Sequence, residues 1–379
     1  MMQEAGAACG LAYELTVLDQ LREGRKRPLK IEIGVLRKGL TSALVGSTIA
    51  GSSSGIELTR NAILAIYNKK NGMDPRSANE FMVSHVKQLD SLLKEREDLV
   101  EQHKDHEHYN LAVQENKIMR ALRDAAVCEY AQSHTDLKAY RARENTFYVM
   151  NIATNVVGAV AAKVGIDALV NSKQNGPANI LFTVTGALTM ASPLVATAAG
   201  KVTGKLTERK LKQLFGEIPD FNFETARTQA RDFDVAIKNI DQTKYPFAMS
   251  RANSYLDSSK LFHDQMKSEL TIARYLNHVA VESSIAGPPI GGTLLAQGIM
   301  GTRAYYKYGK RPLKNLDLNY KGAIVGTVGT AVATGMTGAF LVGDWAYYWK
   351  LKREKRLPKQ LIAERLKHLD ELEVETNKM

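Results

Sequence analysis

A cluster of small residues contains the one pattern in this chain that could support nucleophilic catalysis. Gly51-Ser52-Ser53-Ser54-Gly55 satisfies G-x-S-x-G, the pattern of a nucleophile elbow in which Ser53 would be the nucleophile of a serine hydrolase. That elbow needs a strand before it, a helix after it, and an acid and a histidine placed by a sheet. No alternating pattern of strands and helices surrounds the motif, so we interpret it as a helix-packing or turn segment.

A second group of residues could hold a metal ion. His103, His106 and Glu107 fall on one face if the stretch is helical, and His108 follows them. A closed site would need a ligand from another helix, and a solvated, charged stretch at a bend is the alternative explanation. The chain has no phosphate-binding G-x-x-x-x-G-K motif and no dinucleotide fingerprint. We therefore expect no cofactor, no small-molecule substrate and no enzymatic activity.

Two opposite charges interrupt an apolar segment. Lys163 and Asp167 lie four residues apart, which is the spacing of neighbours on one helical face. Ionisable side chains at membrane depth are costly, and they usually pair with each other or line a wet path. The spacing favours an intramembrane ion pair, and a role in conduction is the alternative.

The elements that would position these residues are long uncharged segments, of which 322–343 is the longest at 22 residues. About 20 apolar residues are enough to cross a bilayer. Small residues recur in this segment at every fourth position, and on a helix they give a stripe that a second helix can approach closely in lipid. We predict helix packing through this stripe, which consists of Gly322, Gly326, Thr330, Thr334 and Gly338.

Two further uncharged segments, 145–162 and 178–200, are separated by a short turn. Helices connected in this way must lie antiparallel. Lys and Arg flank the outer ends of this hairpin, so the positive-inside rule places both polar arms on the cytoplasmic side. The loop 303–321 carries six Lys and Arg against one acid and conflicts with that orientation. The conflict disappears if 283–302 lies flat or re-enters, or if the protein inserts without the usual machinery.

The remaining apolar segments are weaker. Residues 39–56 are rich in Ser, Thr and Gly, which indicates a marginal span or an interfacial helix, and Asn71-Gly72 should end that helix. Residues 283–302 contain Pro288 and Pro289, which weaken a straight helix.

Polar, helical arms alternate with the apolar segments. In the first arm, Met82, Val86, Leu89 and Leu93 alternate steps of four and three, the spacing of a packed helical seam. The seam is interrupted at 103–108, so the sequence leaves open whether this arm is one rod or two antiparallel helices.

The formal charge of +11 suits an anionic partner, either nucleic acid or acidic lipid head groups. The basic clusters sit at the ends of the uncharged segments, which favours lipid, and no aromatic-interleaved basic platform indicates nucleic acid. Aromatic residues followed by cations after 343 are typical of a span at the head-group level. The predicted head-group anchors are Trp345, Tyr347, Tyr348, Trp349, Lys350, Arg353, Lys355 and Arg356.

These patterns predict an all-α, multi-span membrane protein with Gly/Ala-rich apolar helices and long polar arms that are partly coiled-coil-like. Seven segments follow from the changes in composition. They are a basic N-terminal segment (1–38), a marginal apolar segment (39–75), a polar arm (76–144), an apolar hairpin (145–204), a second polar arm (205–282), a second apolar pair (283–349) and a basic amphipathic C-terminal helix (350–379).

The leading functional hypothesis is a non-enzymatic protein that spans a bilayer and self-associates through its small-residue stripes, as a component of a pore or translocation conduit. Its partners would be anionic lipid head groups and either further copies of itself or other subunits of a membrane complex, with no nucleic acid. One alternative is a structural or scaffold subunit of a membrane or virion-like assembly that is soluble before insertion. The other is the serine hydrolase that would use Ser53.

Overall fold

A computed structural model of the protein describes residues 2–27, 31–216, 223–238 and 288–355, Asp257, and single residues between 357 and 374. The second polar arm after residue 238 and most of the predicted C-terminal helix therefore lie outside the described residues. The described residues form helices and contain no strand, which confirms the all-α prediction. The helices are α1 (Met2–Lys26), α2 (Ile33–Lys70), α3 (Pro75–Gln102), α4 (Tyr109–Ala168), α5 (Asn175–Phe215), α6 (Phe223–Lys238), α7 (288–308) and α8 (Pro312–Arg353).

The connection between α2 and α3 follows from local sequence. α2 ends at Lys70, and Gly72 takes a left-handed conformation with φ +66°, which a glycine adopts without steric cost. The backbone N–H of Met73 donates to the carbonyl of Asn68 at 2.8 Å, so a carbonyl of the last helical turn is satisfied. Asp74 then caps α3 by accepting from the Arg76 N–H at 2.9 Å. The predicted helix end at Asn71-Gly72 is confirmed.

The chain forms two compact units. The first consists of Met1–Tyr67, Ala139–Val202 and Asn277–Ala346, and the second of Asn68–Lys138, Thr203–Leu276 and Tyr347–Met379. Almost every uncharged segment falls in the first, which we call the apolar unit, and the polar arms fall in the second, which we call the polar unit. The blockwise distribution of charge in the sequence therefore corresponds to a division of the fold.

In the described residues of the apolar unit, six helices form two layers of three. α1 lies between α2 and α8 in one layer, and α5 lies between α4 and α7 in the other. The layers meet where α2 packs on α4, α8 on α7, and α1 on α5, with the rings of Tyr13 and Phe182 stacked 5.9 Å apart. Neighbours within a layer are antiparallel, because residues later in one helix contact residues earlier in the other. The contact pairs are Gly6–Ala50 and Thr16–Gly39 for α1 and α2, Ala7–Thr334 and Arg25–Asp317 for α1 and α8, Arg143–Gly200 and Gly158–Thr185 for α4 and α5, and Gly176–Tyr305 and Met190–Gly291 for α5 and α7. The predicted antiparallel hairpin of α4 and α5 is confirmed.

The polar unit contains a buried apolar cluster. It consists of the side chains of Ile118, Phe233 and Ile237, with Leu111 and Leu122 packed against them. Burial of such large apolar side chains is favoured by the hydrophobic effect in water.

The first polar arm is two antiparallel helices, which decides between the alternatives that the sequence left open. α3 ends at Gln102 and α4 begins at Tyr109. Paired side chains hold them together: Arg96 with Glu115, Arg120 with Glu97, Arg123 with Asp90 at 2.7 Å, and the Tyr130 hydroxyl, which donates to Asn79 Oδ1 at 2.6 Å.

A partly buried histidine makes the polar unit sensitive to acid. The ring of His134 packs on that of Tyr130, 5.3 Å away, and its Nε2 is buried without a hydrogen-bond partner. Burial, together with the nearby charges of Lys138 and Lys210, lowers the pKa of His134 from 6.5 to about 4. His134 is therefore neutral in the folded protein at pH 7 and at pH 5.

We expect this histidine to reduce the stability of the polar unit as the pH falls from 6.5 to about 4. In that range the unfolded chain binds a proton at His134 and the folded chain does not. The contribution of the neutral histidine to stability is therefore complete above pH 6.5 and is lost as the pH falls to about 4. Partial solvent access limits the effect to about 1–2 kcal/mol. The variant His134→Phe keeps a ring against Tyr130 and cannot titrate. Thermal unfolding followed by circular dichroism at pH 7 and pH 5 should show a larger loss for the wild type, and equal losses would contradict the assignment.

Candidate membrane-spanning bundle

Three helices that contribute to the apolar unit are long and apolar enough to cross a membrane. They are Tyr109–Ala168, Ser172–Phe215 and Pro312–Arg353. Only 28%, 22% and 11% of their most apolar 18-residue windows is buried inside the protein. Most residues of these segments are therefore at least partly exposed. Among the described residues, α2 and α7 are less apolar than these three helices and are not candidate spans.

The outer surface of the apolar unit carries large aliphatic side chains. Val156 on α4, Val184 on α5 and Val328 on α8 are 56%, 41% and 56% exposed. Soluble monomers rarely expose contiguous apolar patches of more than a few hundred Å².

The closest helix contact inside the apolar unit lies between α5 and α7. A Cβ added to Gly298 would lie 2.6 Å from the Cα of Thr183, and one added to Gly186 would overlap the backbone N of Leu295. A Cβ on Gly291 would overlap the backbone N of Met190. Backbone atoms cannot move aside as the end of a side chain can, so glycine is required at these positions. This contact replaces large side chains with direct backbone approach, as is typical of helix packing in lipid.

The contact between α2 and α4 is polar. Asn151 Nδ2 donates to Ser54 Oγ at 2.7 Å, and Asn155 Nδ2 donates to Asn151 Oδ1 at 2.9 Å. Two turns away, Asn61 Nδ2 donates to Asn145 Oδ1 at 2.9 Å. Ser54 is fully buried. We call these five residues the amide seam, and in a bilayer such hydrogen bonds stabilise helix association.

The G-x-S-x-G segment lies inside this contact. Residues 51–55 are in the middle of α2, with helix on both sides of Ser53. A nucleophile elbow is a turn between a strand and a helix, and that context is absent here. Gly51 packs on Asn155 of α4, where an added Cβ would lie 3.2 Å from the asparagine Cβ. The segment is a helix-packing segment.

The predicted stripe on α8 contacts two different helices. Gly322 and Gly326 face α7, and a Cβ on Gly326 would overlap the carboxamide of Gln297. Thr334 faces α1 and donates to the carbonyl of Ala7 at 3.5 Å, whereas Gly338 has no atom within 4 Å of an added Cβ. With 3.6 residues per turn, each step of four rotates the stripe by about 40°, so it cannot keep facing one straight partner. Thr330 shares the side that faces α1, 3.8 Å from a Cβ on Gly10. Association of helices in lipid through the whole stripe stays a prediction.

A buried carboxyl group lies at the centre of the bundle, and sequence reasoning missed it. Glu14 on α1 is 5% exposed, and Gln297 Nε2 on α7 donates to its Oε2 at 2.7 Å. The absence of a side chain at Gly326 leaves the room that this carboxamide occupies. Leu15, the neighbouring residue on α1, is 51% exposed. The available signal was the spacing of four between Gly6, Gly10 and Glu14, which marks the face of α1 that packs inside.

Lys163 and Asp167 form an ion pair, with Nζ and Oδ1 2.6 Å apart. Both side chains are more than half exposed. α4 ends at Ala168, so Lys163 lies about 7.5 Å along the axis from the helix end. The pair is therefore near one end of the bundle, and its position within a membrane stays a prediction.

The predicted head-group anchors extend along the end of α8, which continues to Arg353. Trp345 and Trp349 are 65% and 50% exposed, and the Lys352 Nζ lies 4.8 Å from the centre of the Trp349 ring. Arg356 is outside the described residues. Contact of these residues with lipid stays a prediction.

The histidine group is not on a helix. α3 ends at Gln102, so His103, His106 and Glu107 lie in the turn before α4, and the helical spacing assumed from the sequence does not apply. Within the described residues, no group of three or more His, Cys, Asp or Glu side chains is placed to hold a metal ion.

Comparison of the chain with protein-family models, with curated proteins and with solved structures finds no match.

Proposed function

We propose that this chain is a non-enzymatic membrane protein whose apolar unit is embedded in a bilayer, with lipid solvating its outer faces. The observation that carries the proposal is the distribution of side chains in this unit. Valine, isoleucine and leucine point outward from the candidate spans, while glycine, serine, asparagine and a glutamate lie inside. The polar unit of the same chain instead buries a cluster of larger apolar side chains, Ile118, Phe233 and Ile237.

The polar contacts inside the apolar unit support the same proposal. In hydrocarbon, a polar group without a partner costs several kcal/mol, so polar side chains of an embedded bundle must pair with one another. The amide seam and the Glu14–Gln297 hydrogen bond do so. Glycine contacts between helices give close packing where water provides no driving force for burying large side chains.

In this proposal a pore or translocation conduit requires several copies of the chain. The contacts of α2 with α4, of α8 with α7 and of α1 with α5 fill the space between the layers of one bundle. Self-association would use an outward face, and the later part of α8 offers one, because Gly335, Gly338 and Gly343 have no atom within 4 Å of an added Cβ. We keep the assembly of copies as part of the proposal.

A second candidate is a structural or scaffold subunit that is soluble before it inserts. The observation that favours it is the polarity of α2 and α7, which belong to the bundle but are too weakly apolar to be spans by themselves. A chain with such helices inserts less readily during synthesis. The two candidates are separated by measuring membrane insertion in two reactions. In one, membranes are present during translation; in the other, they are added after translation.

Charge substitutions on α8 test the embedding itself. Val328 and Val332 are about half exposed. In lipid each valine-to-lysine change costs about 2.5–3.5 kcal/mol, whereas in water it costs little. The variant Val328→Lys with Val332→Lys should therefore move from the carbonate-resistant membrane pellet to the soluble or aggregated fraction. Leu92→Lys, at a 63% exposed site of the polar unit, is the control and should stay in the pellet. A pellet that retains both variants equally, or a wild type released by carbonate, would show that water solvates these faces.

A further inference from the structure

The two ends of the apolar unit differ in charge. Three short connections, α1 to α2, α4 to α5 and α7 to α8, lie at the same end. Gly165, near the end of α4, packs on Leu40 near the start of α2, and Arg25, near the end of α1, pairs with Asp317 near the start of α8. We call the segments 22–38, 163–174 and 303–321 the loop end. Their described residues include 14 Lys and Arg against four Asp and Glu, a formal charge of +10 out of +11 for the whole chain. The opposite end, taken to the boundary of the apolar unit as 2–8, 55–67, 139–148, 194–202, 288–294 and 338–346, has four of each sign, and the next cations along α2, α5 and α8 belong to the polar unit.

Contacts between the connections join the loop end into one surface. Arg25, at the end of α1, pairs with Asp317 of α8 at 3.3 Å, and its guanidinium lies 4.6 Å from the centre of the Tyr320 ring. At the other side, the Tyr305 hydroxyl of α7 donates to the carbonyl of Lys173 in the α4–α5 turn at 3.5 Å. The cations of three distant stretches of sequence therefore share one face.

Apolar side chains project between these cations. Val170 in the α4–α5 turn is 92% exposed, and Leu313 at the start of α8 is 74% exposed. Tyr306 is 63% exposed on the last turns of α7. A surface that combines cations, a tyrosine and protruding aliphatic side chains fits the boundary between phospholipid head groups and acyl chains. A groove for nucleic acid would instead offer aromatic stacking platforms along a basic track.

We propose that the loop end is the surface that engages the anionic phospholipid head groups of one leaflet. The inference rests on the embedding proposed above and adds the orientation of the bundle. Each Lys or Arg near an anionic leaflet stabilises its contact with the head groups, so the ten net positive charges of the loop end favour that end at the anionic leaflet. Residues 67, 139, 202 and 346 then lie at the opposite leaflet. The charges that flank the α4–α5 hairpin alone predict the opposite orientation, with the polar arms on the cytoplasmic side. That prediction conflicts with the basic loop 303–321, which belongs to the loop end.

Selective retention of lipid by the full-length protein tests this assignment. The protein, purified in a neutral detergent, is incubated with equal amounts of phosphatidylglycerol and phosphatidylcholine and washed, and the retained lipids are quantified. The loop variant carries Lys307→Glu, Lys310→Glu, Arg311→Glu and Lys314→Glu. The matched control carries the same charge change in the polar unit, with Lys69, Lys70, Lys87 and Lys94 each changed to Glu.

We expect at least fivefold enrichment of phosphatidylglycerol for the wild type and the control variant, and less than twofold for the loop variant. Equal retention of the two lipids by the wild type, or enrichment that the loop variant keeps, would overturn the assignment. Loop-dependent binding of a single-stranded RNA oligonucleotide without phosphatidylglycerol enrichment would overturn it in favour of nucleic acid. Carbonate extraction of the same proteins measures embedding separately, so the orientation can fail while the proposed function stands.

Discussion

Replacing Gly186 and Gly298 with alanine is expected to separate α5 from α7 and to destabilise the apolar unit. An added Cβ would meet the backbone of the facing helix at both positions. Relief of these overlaps requires the helices to move apart, at a cost of about 1–3 kcal/mol for each site. We expect a marked fall in the thermal unfolding midpoint in a mild detergent.

Gly335→Ala with Gly338→Ala is the matched control. These glycines are also within a helix, and nothing lies within 4 Å of an added Cβ. Alanine favours helix over glycine by about 0.5–1 kcal/mol, so the control should be neutral or slightly stabilising. Equal destabilisation of the two double variants would show that the α5–α7 contact does not depend on backbone approach.

Phe233→Ala is expected to detach α6 from the polar unit. Phe233 is 2% exposed and packs with Ile118 and Ile237, and truncation of a buried phenylalanine costs about 3–5 kcal/mol because it leaves a cavity. Hydrogen exchange read by mass spectrometry should show faster exchange in 109–125 and 223–238, with unchanged protection in 145–168.

The control for this substitution is Leu99→Ala on α3. Leu99 is 52% exposed, so its truncation removes little buried surface and should change stability by less than about 0.5 kcal/mol. If Phe233→Ala left exchange in α6 unchanged, the buried cluster would not be what holds that helix.

Sequence alone predicted the features that depend on local spacing. The uncharged segments 145–162, 178–200 and 322–343 lie in the three candidate spans, and the interruption at 103–108 is the turn between α3 and α4. The short turn after Ala168 made the α4–α5 hairpin predictable as well. In each case a few neighbouring residues determine whether the chain forms a helix or a turn.

The choice of helix partners was not predictable from spacing. Gly186 meets Leu295 across more than 100 residues, and a single sequence does not show which of several small-residue faces will pair. The regular spacing on α8 drew attention to Gly326, yet the atoms it meets belong to the flexible end of Gln297, while the backbone contacts lie on α5 and α7. Glu14 was missed because its burial depends on α7, a helix that follows it by nearly 300 residues.

The amide seam also constrains the order of assembly. Ser54 and Asn61 on α2 are translated some 80 to 100 residues before Asn145 and Asn151, the groups that satisfy them. Alone in hydrocarbon, α2 would hold unsatisfied amide and hydroxyl groups, each costing several kcal/mol. In the proposed embedded bundle, α2 would therefore stay at the water boundary until α4 has been made, and the two helices would enter together. The order in which the helices enter the bundle would thus depend on residues that are distant along the chain.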